Sequence, residues 1–445
     1  MTSSIHPIDY RYGSDEMRRI FSRETWLEYF KLYELKLLEV LNELGIVKLN
    51  IDVIRESFSK VSLKDVNRWE DKVRHEAMAV VLALGEVSKE HGKYIHLGAT
   101  SNDVLDTVMA LQIREAHKLI IHKLNILLKV LYRFIEKYID APILGRTHGR
   151  SALPISLGFR FSLYLDELYR IYKILCDAIK YVAVGKYGGA VGSQVELYPK
   201  QSLIEEKLMK KLGLDVASFY LQIIPRDRLA YYLFNLLLLS TILEHMANEV
   251  RILQSSGIEE IYEPFREEQI GSSIMPHKRN PIISEKICGL SRKLRSLSPS
   301  ILENIVFEHE RDLRNSSFER CILPETFLLV DEQLDSSIKL VKGISPDLNK
   351  IRENIERESP YIFSDLIIQL ATLNGADRQE VYRRIREIFI NVAHIDEEKF
   401  LKAILEDDYL SKFLDRNIID NCMNLKVYID AVVHRVKSFL SNIDI

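Results

Sequence analysis

Residues 104–139 read VLDTVMALQIREAHKLIIHKLNILLKVLYRFIEKYI, thirty-six positions without a glycine or a proline. Leu105, Val108, Ala116, Leu119, Leu124, Leu127, Leu131 and Phe134 recur at spacings that place them on one broad face of a helix. At 1.5 Å per residue such a helix rises roughly 54 Å. Similar patterns occupy about 152–184, 226–256, 281–303 and 323–342. No alternating strand pattern has comparable weight. Several long helices without strands between them predict an all-α fold, an elongated central helical bundle with smaller N- and C-terminal helical domains.

Outward from that stretch the pattern shortens. Trp26, Phe30, Tyr33, Leu37, Leu41 and Leu44 form a stripe ended by Gly45, and a second stripe runs from about Val66 to Val87. Beyond Gly343 and Pro346 the chain returns to short charged helices. The expected division is 1–98, an N-terminal helical domain with substrate-binding residues; 99–342, the long-helix bundle; and 343–445, a small C-terminal helical domain.

Composition fits this reading. The 445 residues include only 18 glycines and 12 prolines, below the typical usage of roughly 7% and 5%. Lys and Arg total 61 against 64 Asp and Glu, a formal net charge of -3. No basic excess points to nucleic acid or an anionic membrane as partner. Cys176, Cys288, Cys321 and Cys422 are scattered without C-x-x-C spacing. That argues against a zinc site and for a reducing, cytoplasmic setting. Met1 to Tyr12 has no apolar leader core. The greasiest run, Leu229 to Leu243, falls short of the roughly 20 residues a membrane span needs, and reads as a helix buried among helices.

Polar, glycine-containing segments punctuate the bundle at 98–103, 145–150, 185–196 and 269–281. Loops held by rigid helices are where chemistry concentrates. In Gly271-Ser272-Ser273-Ile274-Met275-Pro276-His277-Lys278-Arg279-Asn280-Pro281, three nitrogen-rich side chains precede a proline suited to open a helix. Lys278, Arg279, Asn280 and the backbone N–H groups of that helix N-terminus suit a carboxylate or oxyanion, with Ser272 or Ser273 as a base; a solvated helix-capping turn reads equally well from physics alone. His148, flanked by Arg146, Gly149 and Arg150, is an acid or base candidate, as is His75 between Arg74 and Glu76, while an uninvolved loop or helix-face histidine is the commoner reading of each by itself. Arg311, Arg314 and Arg320 bracket Ser316 and Ser317, and Arg11-Tyr12 offers a guanidinium beside a phenol. Such forks match phosphate and carboxylate geometry, while solvated surface is the commoner reading of either cluster by itself. No metal-ligand spacing emerges, and Gly188 to Ser193 reads as a tight turn and not as a dinucleotide fingerprint.

Taken together, these stretches resemble the fumarase/aspartase superfamily, and within it the lyases acting on succinylated purine nucleotides. The GSSIMPHKRNP loop resembles the superfamily signature, while Thr100-Ser101-Asn102-Asp103-Val104 and Thr147-His148-Gly149 stand at its two other blocks. Arg11-Tyr12, Arg74-His75-Glu76, Gln222 ahead of Arg226-Asp227-Arg228, and His309-Glu310-Arg311-Asp312 followed by Ser316 and Arg320 resemble the narrower group. The resemblance implies release of fumarate from adenylosuccinate, giving AMP, and from succinyl-aminoimidazole-carboxamide ribotide, without metal or cofactor. Ser272 is then the base, His148 the acid oriented by Glu285, and His75 a second active-site histidine. Lys278 and Asn280 take the succinyl carboxylates beside Ser273, Arg279, Thr100, Ser101 and Gln222. Arg11, Tyr12, Arg74, Glu76, Arg311, Ser316 and Arg320 take the nucleotide. The nearest alternative within the superfamily is a cycloisomerase of carboxymuconate, which shares a PHKRNP-type loop but has no nucleotide to grip. Arg150 stands where the superfamily usually has glutamine, and Glu76 where aspartate is common. The resemblance also implies a homotetramer with shared sites. Helix length supports that, because Thr100 precedes and His148 follows a helix of roughly 50 Å.

Overall fold

The computed structural model describes residues 6–391 and 396–445. The glycine-free stretch forms one helix, Ser101–Lys137, of 37 residues. The other long patterns become helices Leu157–Val182, Asp227–Leu253, Ile282–Arg295 and Arg314–Gly343. The all-α reading holds: the described strands are short, paired only in two-stranded ladders. Helix Asp227–Leu253 is long and apolar enough to cross a membrane by those criteria alone, but 61% of its most apolar window is buried within the protein. Tyr232, Leu236, Leu239, Leu243 and Met246 are fully buried, as a core helix requires.

The pattern and the structure differ at four places, one being the 281–303 pattern, which is two helices, Ile282–Arg295 and Ser298–Glu303. Ala152 to Ser156 belongs to strand Arg150–Ser156, which pairs antiparallel with Pro142–Thr147. Segments of six or seven residues are too short to distinguish a strand from a helix by period. The stripe from Val66 to Val87 is two helices, Leu63–Val73 and Glu76–Ser88, parted by Arg74 in the left-handed region at φ 51°. The last long helix starts at Arg314, well ahead of its apolar pattern, because its first turns carry polar side chains, and Pro324 lies inside it.

The chain divides into two compact units. The first comprises Met1–Leu124, Arg170–Leu243 and Gly289–Asp335. Its core joins Phe30, Tyr33, Leu37 and Leu41 of helix Arg23–Glu43 to Val80 and Leu84, Val104 and Val108, and Ile204 and Leu208. The second comprises Asn125–Tyr169, Glu244–Cys288 and Ser336–Ile445. It contains the His148 hairpin, the 269–281 loop and a separate cluster around Ile367, Val381, Phe400 and Ile419.

Candidate active site

The first unit holds every residue assigned to the nucleotide. Thr100 caps helix Ser101–Lys137: its N–H donates to Asp103 Oδ2 at 2.8 Å, and its carbonyl accepts from the Asp103 N–H at 2.9 Å. Asp103 is fully buried, ion-paired with the equally buried Lys186, and receives the N–H groups of Gly188 and Gly189 at 3.1 and 3.0 Å. One carboxylate therefore fixes both the Thr100-Ser101 turn and the glycine-rich loop. Only glycine fits at 188, where a Cβ would stand 2.3 Å from the Tyr220 ring.

Arg74 ends one helix and His75 caps the next, accepting the Met78 N–H on Nδ1 at 3.3 Å. A neutral imidazole used this way carries its proton on Nε2, ready to donate outward. The left-handed Arg74 is backbone strain of about 1–3 kcal/mol kept at the turn that presents this histidine. Glu76, on the following turn, accepts from Arg320 Nη2 at 2.7 Å. Arg311 donates to Ser316 Oγ at 2.9 Å and to Gln222 Oε1 at 3.3 Å, and Gln222 in turn donates to the Ala190 carbonyl at 2.7 Å. Arg11 and Tyr12 precede a turn pinned to the helix that carries Ser316 and Arg320: the Gly13 and Ser14 N–H groups donate to Glu332 and Asp331 at 3.2 and 2.7 Å.

Beneath Ser316 and Arg320 lies a cavity of about 340 Å³, floored by Phe21, Trp26, Leu105, Met109, Leu323 and Pro324. Its wall contains an ion network that reading the sequence missed. The buried Arg226 donates to both Asp106 oxygens at 3.1 and 2.8 Å and to both Glu319 oxygens at 2.6 and 3.0 Å. Burial works against the Arg226 charge, but the two carboxylates outweigh it and raise its pKa. Arg311 has no such full pairing, and burial lowers its pKa.

The second unit holds the residues assigned to bond cleavage. His148 and Gly149 make a two-residue hairpin turn with φ of 54° and 72°, the positive pair that a type I′ turn demands. His148 is thereby exposed at the tip. The hairpin is anchored by Arg146, whose guanidinium forks onto the fully buried Glu260 at 2.8 and 2.6 Å. Arg146 is thus turned inward, while Arg150 stays exposed.

In the 271–281 loop, Ser272 Oγ accepts the N–H groups of Ile274 and Met275 at 3.3 and 3.0 Å. Two donors aimed at one hydroxyl favour its anionic form. Asn280 Nδ2 donates to the Gly271 carbonyl at 2.9 Å and closes the loop, at a point where a Cβ on Gly271 would stand 2.1 Å from the Lys278 carbonyl. Ser273, Lys278 and Arg279 are exposed, with the Arg279 guanidinium 5.3 Å from the centre of the Phe265 ring. One expectation is corrected here. The N-terminus of helix Ile282–Arg295 is not free for a substrate anion, since the Ile283 and Ser284 N–H groups donate to the Glu263 carboxylate at 3.0 and 3.1 Å. Burial raises the Glu263 pKa against these bonds, and the charge of nearby Glu285 adds to the rise. Glu285 itself is exposed on the first turn of that helix.

A family model described as Lyase matches residues 18–295. The chain is 41% identical over 421 residues to the adenylosuccinate lyase of Pyrococcus abyssi, covering 94% of this chain and 93% of that one. It is 36% identical to that of Archaeoglobus fulgidus, with 97% of both chains covered, and 31% identical to that of Thermotoga maritima, with 96% and 99% covered. Among solved structures, a fumarate lyase from Mesorhizobium sp. BNC1 superposes with a TM-score of 0.86 at 23% identity, over 97% of this chain and 98% of that one. A 3-carboxy-cis,cis-muconate lactonizing enzyme from Pseudomonas putida gives 0.86 at 24%, over 98% of both. These two show a shared fold.

Proposed function

The chain belongs to the adenylosuccinate lyase family of fumarase/aspartase-type lyases, and on that premise we propose that it eliminates fumarate from adenylosuccinate, giving AMP, and from succinyl-aminoimidazole-carboxamide ribotide. The observation that carries the nucleotide half is the chain of contacts linking Gln222 and Arg311 to Ser316, which lines one cavity with Arg320 and Glu76. A cycloisomerase acting on carboxymuconate, a small tricarboxylate, has no nucleotide to hold across such a set of residues.

Ser272 takes the proton from the succinyl carbon next to a carboxylate. The electron pair left behind makes that carboxylate an aci-dianion, and it then expels the C–N bond as His148 protonates the departing nitrogen. Such an intermediate needs fixed positive charge and donors more than a strong base. Lys278 supplies the charge, and the second N–H of Asn280 supplies a donor. His75 donates from Nε2 to the substrate, and Glu285 orients His148. A serine can serve as base only with water excluded. Ile270 and Ile274, 83% and 85% exposed beside it, give the loop an apolar surface to bury on closing.

The working form is a cytoplasmic homotetramer with sites shared between chains, acting without metal or cofactor. In support, helix Ser101–Lys137 rises about 55 Å, with Thr100 before its first residue and the His148 hairpin after its last. The test is an absorbance assay of purified protein with each nucleotide and no added metal. Formation of fumarate from both is expected; no fumarate from adenylosuccinate rejects the reading.

A further inference from the structure

Arg311 is held between two neutral oxygens on separate pieces of chain. Its Nη1 donates to Gln222 Oε1 at 3.3 Å and its Nη2 to Ser316 Oγ at 2.9 Å. Gln222 lies in the segment that leads into helix Asp227–Leu253, and Ser316 on the first turn of helix Arg314–Gly343. A guanidinium is a rigid fork. The gap between those two oxygens therefore decides where the Arg311 charge sits.

Arg226 ties the same two pieces together close by. Its Nη1 donates to the carbonyl of Ile224, two residues after Gln222, at 2.8 Å. Its Nε and Nη2 take the two oxygens of Glu319, one helical turn after Ser316. Asp106 completes the tie, accepting both Arg226 Nη groups and the Ile224 N–H, the last at 2.7 Å. Glu319 is fixed further by the Asn304 and Asn315 amides at 2.9 and 3.2 Å. The charges of Asp106, Arg226 and Glu319 all act on Arg311, so the tie and the fork it frames are neighbours. We propose that Arg226 is a positioning residue of the nucleotide site: by fixing the Gln222 segment against the Ser316 helix, it sets the Arg311 guanidinium for an anionic group of the substrate. This rests on the reading of the chain as a lyase of succinylated nucleotides. A lysine at 226 keeps the charge but has a single nitrogen, which cannot span two carboxylates and a carbonyl.

The experiment measures kcat and KM for adenylosuccinate in the full-length wild type, Arg226→Lys, Arg311→Ala and the double variant. Arg226→Lys is expected to raise KM about tenfold with kcat kept within about twofold, because the group it displaces binds ground and transition states alike. In the Arg311→Ala background the same change is expected to raise KM less than about twofold, since the residue being positioned is gone. A purely structural role makes the two effects multiply. Effects that multiply, a loss confined to kcat, or an unchanged KM in Arg226→Lys overturn the proposal while fumarate release by the wild type upholds the lyase reading. Wild-type protein inactive on the nucleotide overturns that reading instead, and the proposal with it. Should Arg226→Lys not fold, Asp106→Asn loosens the same tie more gently, turning one end of the carboxylate into a donor that faces donors. It is expected to raise KM about threefold with Arg311 present and to leave KM unchanged without it. An equal rise in both backgrounds overturns the proposal.

Discussion

Ser272 is the alcohol we propose as the base for a carbon-bound proton, and its surroundings supply two backbone N–H groups on Oγ. Removing the hydroxyl releases those two N–H groups to water on an exposed loop, so Ser272→Ala loses the proton acceptor at little cost in stability. Ser272→Ala and His148→Ala are each expected to lower kcat by about 10²–10⁴-fold with an unchanged melting temperature; near-normal turnover in either rejects its role. His117 shows the opposite use of histidine. It is 8% exposed, 2.9 Å from the Tyr232 hydroxyl, and burial lowers its pKa to about 4. That lies below the unfolded reference of 6.5. As pH falls from 6.5 to 4 the unfolded chain takes up the proton first, so stability present at neutral pH is lost, by about 3 kcal/mol. Urea unfolding of wild type and His117→Gln is expected to show the wild type losing that much more on acidification. Equal acid sensitivity contradicts the buried neutral imidazole.

The His148 hairpin works because a charged pair beneath it holds the strand ladder to its unit. Arg146→Ala leaves Glu260 buried with Asn354 Nδ2 at 3.0 Å and without its bonded guanidinium, only the charge of Arg160 still acting on it, a loss of about 3–5 kcal/mol. Urea unfolding measures it, and a change under 1 kcal/mol means the pair contributes little. Legibility from sequence divides at this scale. Helix Ser101–Lys137 was readable because its apolar face repeats over ten turns without a breaker. The hairpin was not, since Ala152 to Ser156 is too short to reveal its period and Pro154 gives no helix-stopping signal that a strand lacks. The break at Arg74 was invisible because a left-handed arginine leaves no mark in composition. Site residues in local motifs, such as Ser272 with Asn280, could be read directly. The Arg226, Asp106 and Glu319 network could not, because it joins positions 93 and 120 residues apart. The Arg-Asp-Arg start of helix Asp227–Leu253 was the one hint of it.

At the scale of the molecule, the assigned residues sort cleanly. Arg11, Tyr12, His75, Thr100, Gln222, Arg311, Ser316 and Arg320 belong to one compact unit, and His148, Ser272, Lys278 and Asn280 to the other. The first unit thus holds the residues proposed for the nucleotide together with His75, Thr100 and Gln222, and the second holds the proposed acid and base with Lys278 and Asn280. With sites shared between chains, we propose that Ser272 of one chain and His148 of another act on one substrate. Mixing it out is direct: Ser272→Ala and His148→Ala protein, each inactive alone, are dissociated together in mild denaturant, reassembled, and assayed for fumarate release from adenylosuccinate. Hybrid assemblies contain sites with both groups intact, so the mixture is expected to regain a substantial fraction of wild-type turnover. A mixture that forms hybrids by native mass spectrometry yet stays as inactive as its two components places both groups on one chain and contradicts the account.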